Sequence, residues 1–114
     1  MTETAIKTVT FTETVLLRPK MYTITGTLGE IVCFLNGYYS GIARSHSCAP
    51  DVQEWQQFRR FLSRHFLVDS AYIFHRMMEC YPENEKAIEA MSELLVKFHE
   101  ASLRSNDEQI YPDF

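Results

Sequence analysis

Apolar residues recur at helical spacing along most of the chain. Leu28, Ile31, Val32, Leu35, Tyr39 and Ile42 keep the steps of three and four that lay one stripe along one face of a helix. Val52, Trp55, Phe58, Phe61, Leu62 and Phe66 repeat that pattern, and so do Ala87, Met91, Leu94, Leu95 and Phe98. A shorter run holds Ile73, Phe74, Met77, Met78 and Tyr81. Start signals precede these stripes. Thr10 with Glu13, and Thr27 with Glu30, have the spacing of a capping box, in which each side chain satisfies a free backbone N–H of the other. Asp51 with Glu54 offers a third cap, and Asp69 or Ser70 a fourth.

These signals predict a short helix through about Leu17, a second from Thr27 to about Arg44, and a third opening at Asp51. A fourth runs to the break at Tyr81-Pro82, and a fifth from Asn84 to about Ser102. Ser45 to Pro50 reads as a linker and residues 23–27 as a Thr/Gly turn. Residues 1–9 alternate Thr with Ile and Val, as a short strand or a frayed arm would. The expected architecture is all-α: a single-domain bundle of about five helices over residues 1–114. It has a short N-terminal arm (1–9) and an acidic, aromatic C-terminal tail (104–114).

Two local features are more particular. Pro19 locks its own φ and pushes Arg18 out of the helical region, so Arg18-Pro19-Lys20-Met21-Tyr22 makes a specified corner. The corner is expected to pack Met21 and Tyr22 into the bundle. Gly37 sits within the second helix, where glycine costs about 1 kcal/mol relative to alanine. That cost predicts the close approach of another backbone, with the proline corner as the candidate. Tyr38 and Tyr39 point about 100° apart on a helix. One of them at most enters the core, and the other is a candidate contact residue.

With 114 residues and 46% hydrophobic content, the chain has apolar material for one core. Its net charge of −4 is uneven. Residues 1–78 hold eight Lys/Arg and six Asp/Glu, a net of +2, whereas residues 79–114 hold three and nine, a net of −6. Phosphates would be repelled by the acidic third, which argues against nucleic acid and for a basic protein partner. Arg59, Arg60, Arg64 and Arg76 are expected to form a solvated face or to pair with the acidic last helix. No run approaches the roughly 20 apolar residues of a membrane span, so no membrane partner is expected. The start, Met1-Thr2-Glu3-Thr4-Ala5, has no basic segment leading into an apolar one and does not read as a signal peptide. Cys33, Cys48 and Cys80 then read as reduced thiols of a cytoplasmic protein, with Cys33 and Cys80 as inert, buried helix residues.

Candidate chemistry is thin. His46-x-Cys48 is a close pair without the second pair that a structural zinc site needs, so neither metal nor cofactor is expected. Gyrase-type ATPase domains open on a similar Arg-Pro-x-Met-Tyr corner, but the four glycines here form no phosphate-cradling loop. No nucleophile, base and orienting group converge, so no catalytic residues are assigned and the chain reads as a non-enzyme. What remains is the last helix and tail. Glu85, Glu89, Glu93 and Glu100 share one side, and the ending Asp107-Glu108-Gln109-Ile110-Tyr111-Pro112-Asp113-Phe114 sets aromatics beside carboxylates. Aromatics supply buried area at an interface, and acids supply steering.

Taken together, Arg18-Pro19-x-Met21-Tyr22, Phe34-x-x-Gly37-Tyr38 and Trp55-x-x-Phe58 resemble small bacterial proteins of polymorphic toxin and contact-dependent growth inhibition systems. There such proteins act as immunity proteins. The resemblance covers residues of about 15–100 and departs at Lys20, a position commonly small, and at the acidic tail. It implies that Arg18, Pro19, Met21, Tyr22, Gly37, Tyr38 and Trp55 are structural. It also implies a cytoplasmic inhibitor that binds one cognate toxin C-terminal domain in a 1:1 complex. Many such toxins are nucleases with basic clefts, over which an acidic surface would dock. A surface that discriminates between toxins must lie outside a shared motif. Glu85, Glu89, Glu93, Asp107, Glu108 and Tyr111 are therefore the expected partner-binding residues. The alternative is a helical adaptor that binds a cellular protein and no toxin.

Overall fold

The computed structural model describes residues 10–46 and 48–107, with 103–107 by backbone alone. The expected N-terminal arm and all but the start of the acidic tail lie outside these residues. The described chain is all-α, with five α-helices and no strand. They are α1 (Phe11–Leu17), α2 (Leu28–Ser45), α3 (Pro50–Phe66), α4 (Ile73–Cys80) and α5 (Asn84–Asp107). Single 3-10 turns at Pro19–Met21 and Ser70–Tyr72 follow α1 and precede α4. The chain divides into two compact units, Met1–Gln57 and Phe58–Phe114, and α3 supplies residues to both.

In the first unit, α1 opens on a complete capping box. The Glu13 N–H donates to Thr10 Oγ1 at 3.2 Å, and the Thr10 N–H donates to Glu13 Oε1 at 3.0 Å. The second expected box is half made. Thr27 Oγ1 accepts from the Glu30 N–H at 3.3 Å, but the Glu30 carboxylate turns to Thr25 instead of Thr27, taking its N–H and its hydroxyl at 2.8 Å each. The turn before α2 has moved the reciprocal bond two residues upstream. Val15, Leu16, Leu28, Ile31, Leu35, Val52 and Trp55 are buried in this unit. The stripe read from α2 is thus its core face.

Tyr39, at 4% exposure, is the tyrosine that enters the core, and Tyr38 stays on the surface. Tyr39 shares a hydroxyl–hydroxyl hydrogen bond with buried Thr12 at 3.0 Å and stacks on Trp55 with ring centroids 5.3 Å apart. The Trp55 indole N–H donates to Asn36 Oδ1 at 3.1 Å. Burial pushes the Tyr39 phenol above its ordinary pKa, because ionisation there would strand a charge away from water.

In the second unit, Phe58, Leu62, Ile73, Phe74, Met77, Met91, Leu94, Leu95 and Phe98 are buried, with α4 packed on α5. Three expectations shift. Helix α3 begins at Pro50, with the Ala49 carbonyl accepting from the Gln53 N–H, so Asp51 lies in the first turn and is not the cap. Proline at the first helical position costs no hydrogen bond, because that N–H would have no partner anyway. Asp69 does cap, but it caps the 3-10 turn, accepting from the Ala71 N–H at 3.1 Å. Met78 is 41% exposed, because Met77 next to it already occupies the buried direction of α4. Beyond α3, Leu67 holds a left-handed φ of 56° while the Val68 N–H reaches back to the Ser63 carbonyl. That is the 6→1 closure of a Schellman motif with leucine in the place that favours glycine.

Candidate functional site

Glu85, Glu89 and Glu93 stand one helical turn apart along α5 and are exposed, as is Glu100. Among the described residues none of the first three makes an ion pair within 4.0 Å, although Lys86 and Lys97 share the helix. Like charges four residues apart destabilise a helix by roughly 0.2–0.5 kcal/mol per pair. Glu85 lies in the first turn of α5, where the helix dipole favours an acid, so the mutual repulsion falls chiefly on Glu89 and Glu93. The arginines whose side chains are described in this unit are engaged elsewhere or left in solvent. Arg59 donates to the Ser70 carbonyl at 3.1 Å, closing the loop before α4, and Arg76 lies 3.8 Å from Glu79 on its own helix. Arg60 and Arg64 are exposed. The expected pairing of the arginines with α5 is not seen among the described residues. The backbone of Asp107 ends α5, while its side chain, Glu108 and Tyr111 lie outside the described residues.

The motif residues gather in the first unit. The corner forms as read: Arg18 leaves the helical region at φ −136° and ψ 67°, and Pro19 opens a 3-10 turn, its carbonyl accepting from the N–H groups of Tyr22 and Thr23. Its expected packing is half right. Tyr22 is half-buried, with its ring edge-on to Phe11 at 5.6 Å and 5.8 Å from Phe34, but Met21 is 68% exposed. Neighbours on a 3-10 turn diverge by about 120°, so both cannot face inward. Arg18 is exposed. Gly37 overturns its expectation: it is exposed, and a Cβ built there meets nothing within 4 Å. The glycine that the corner does require is Gly26, at φ +72°, where a Cβ would stand 3.0 Å from Lys20 Cγ. Trp55 is buried, as a structural residue should be.

A cluster of rings joins these pieces. Tyr38 stacks on Phe11 with centroids 4.2 Å apart, and Phe34 lies 6.0 Å from Phe11. The legible signal was Phe34 and Tyr38 at i, i+4, a second apolar line beside the core stripe of α2. Next to the rings lies an open apolar depression of about 370 Å³, lined by Tyr22, Thr23, Ile24, Gly29, Glu30, Cys33 and Phe34. The backbone N–H of Thr25 holds the Glu30 carboxyl below the usual carboxylate range, so its rim carries a negative charge at neutral pH.

Cys33, Cys48 and Cys80 are all exposed free thiols, correcting the reading of Cys33 and Cys80 as buried. Both lie on helices but off the apolar stripes. Among the described residues no group of three or more His, Cys, Asp or Glu is placed to hold a metal, and no helix is long and apolar enough to cross a membrane. Comparison with known protein families, curated proteins and solved structures finds no match, and the function is argued from these residues alone.

Proposed function

We propose that this chain is an immunity protein: it binds a cognate toxin C-terminal domain, a basic nuclease, in a 1:1 complex and neutralises it without catalysis. Binding takes place in the cytoplasm, where such a nuclease would reach its substrate. The observation that carries the reading is the exposed column Glu85, Glu89 and Glu93 on α5, which makes no ion pair among the described residues. A cleft built for phosphates is lined with cations, and a rigid row of carboxylates offers it charge at a spacing of about 5–6 Å. Such complementarity raises association rates and discriminates among partners more than it adds affinity. Asp107, Glu108 and Tyr111 extend the same segment along the chain and supply an aromatic anchor.

The test immobilises the full chain and exposes it to lysate of the source bacterium. The expected result is one-to-one recovery of the C-terminal domain of a large secreted protein whose nuclease activity falls as the chain is added. Charge reversal at Glu85, Glu89 and Glu93 should then slow association at least ~10-fold at low salt, and less at high salt. Unchanged association in that variant would rule out the acidic face. Recovery of cellular proteins alone would favour the adaptor.

A further inference from the structure

Helix α2 carries a face that the described residues leave open. At 100° per residue, Glu30, Cys33, Phe34, Gly41 and Arg44 all lie within about 60° of the direction of Gly37. Cys33, Gly37, Gly41 and Arg44 are exposed, and Glu30 and Phe34 are half-buried. This face continues into the apolar depression at Tyr22, Ile24 and Phe34, where Ile24 is 89% exposed. Its charges are segregated: the acid of the first turn is Glu30, and the base of the last turn is Arg44. Both lie seven residues from Gly37.

We propose that this face of α2 is the contact surface for a second copy of the chain, the two α2 helices packing antiparallel across a two-fold axis at Gly37. Charge complementarity chooses both occupant and direction. An antiparallel pairing centred on Gly37 sets Glu30 against Arg44 of the partner subunit, and the symmetry repeats that contact. A parallel pairing would oppose Glu30 to itself and Arg44 to itself. Both Thr25 hydrogen bonds fall on Glu30 Oε1, and they hold the carboxylate at the start of α2. The apolar part follows the same symmetry. Side-chain-free Gly37 and Gly41, where a Cβ would meet nothing within 4 Å, let the axes approach more closely than the usual 8–10 Å. Each Phe34 ring then covers Gly37 and Gly41 of the partner subunit. A self-complementary patch is what a two-fold interface requires. The inference does not depend on the α5 proposal.

The test is analytical ultracentrifugation of the full chain over a concentration series. Wild type should pass from the 13.3 kDa monomer to a dimer. Gly37→Leu should weaken the dimer roughly 100-fold or more through overpacking at the axis, without lowering the melting temperature at dilution, because the site is open in the monomer. Arg44→Glu and Glu30→Lys should each abolish self-association, yet the two variants mixed should form a heterodimer, since both cross-contacts are then opposite in sign. If Glu30→Lys fails to fold by circular dichroism, Gly41→Cys replaces it. Under air oxidation, with oxygen taking up the two electrons and two protons, that thiol should form an interchain disulfide with Cys33, located by peptide mapping. Monomer mass up to roughly 1 mM would overturn the proposal. So would a dimer that survives both Gly37→Leu and Arg44→Glu.

Discussion

Thr12 and Tyr39 are separated by 27 residues and share one buried hydrogen bond at 3.0 Å, each side chain 4% exposed. Tyr39→Phe removes the phenol oxygen and leaves the Thr12 hydroxyl without it; Thr12→Val does the reverse at constant shape. Leaving one buried partner unsatisfied costs about 1–3 kcal/mol, whereas removing both is nearly neutral. Each single change should therefore cost more than 1 kcal/mol, and the double variant should cost less than their sum by about 1 kcal/mol. Urea denaturation at fixed m measures all four proteins. Trp55, the one tryptophan, stacks on Tyr39 and reports the transition by fluorescence. The alkaline limb provides a second reading. The Tyr39 pKa is raised in the folded state above its ordinary 10.0, so the fold binds that proton more tightly than the unfolded chain does. Its contribution is complete below the unfolded value and is lost as pH rises through the folded one. Wild type should lose stability above about pH 10, and Tyr39→Phe should lose less. Additive single effects, within about 0.3–0.5 kcal/mol, would refute the coupling. Identical alkaline limbs would refute the burial argument.

Other positions test other parts of the fold. Leu67 is 87% exposed at φ 56°, so Leu67→Gly relieves about 1–2 kcal/mol of left-handed strain against roughly 0.5–1 of added chain entropy. A melting temperature raised by a few degrees is expected, and a lowered one would show that the leucine has a role the motif does not explain. Phe58 is 1% exposed with Phe98 at 5.5 Å, and Phe58→Ala should cost about 3–5 kcal/mol by urea titration. Cys33, Cys48 and Cys80 should all react with a disulfide reagent in the native protein at dilution, where the chain is monomeric. A thiol that reacts only at the rate of global unfolding would contradict its exposure.

How far the chain could be read follows from the range of each interaction. Helices α1 to α5, the Thr10–Glu13 box and the core stripe of α2 were legible, because a helix repeats every 3.6 residues and caps over three. Exposure of Glu85, Glu89 and Glu93 was legible for the same reason: an acidic line opposite an apolar stripe has to face water. The half-made box at Glu30 was not, because its carboxylate had a closer donor in Thr25. The inert role expected of Cys33 and Cys80 failed because residue type predicts burial only on average, while their places on α2 and α4 fall outside the buried stripes. The sharpest difference lies among the tyrosines and glycines. By itself the sequence determined that Tyr38 and Tyr39 diverge and that Gly37 sits within a helix. Only tertiary structure decided that Tyr39 meets Thr12, that Tyr38 meets Phe11, and that among the described residues no group beyond its own helix stands within 4 Å of a Cβ built on Gly37. Local spacing sets the direction in which a side chain leaves the backbone; which group waits in that direction depends on loop closure between distant segments, and no local period encodes that.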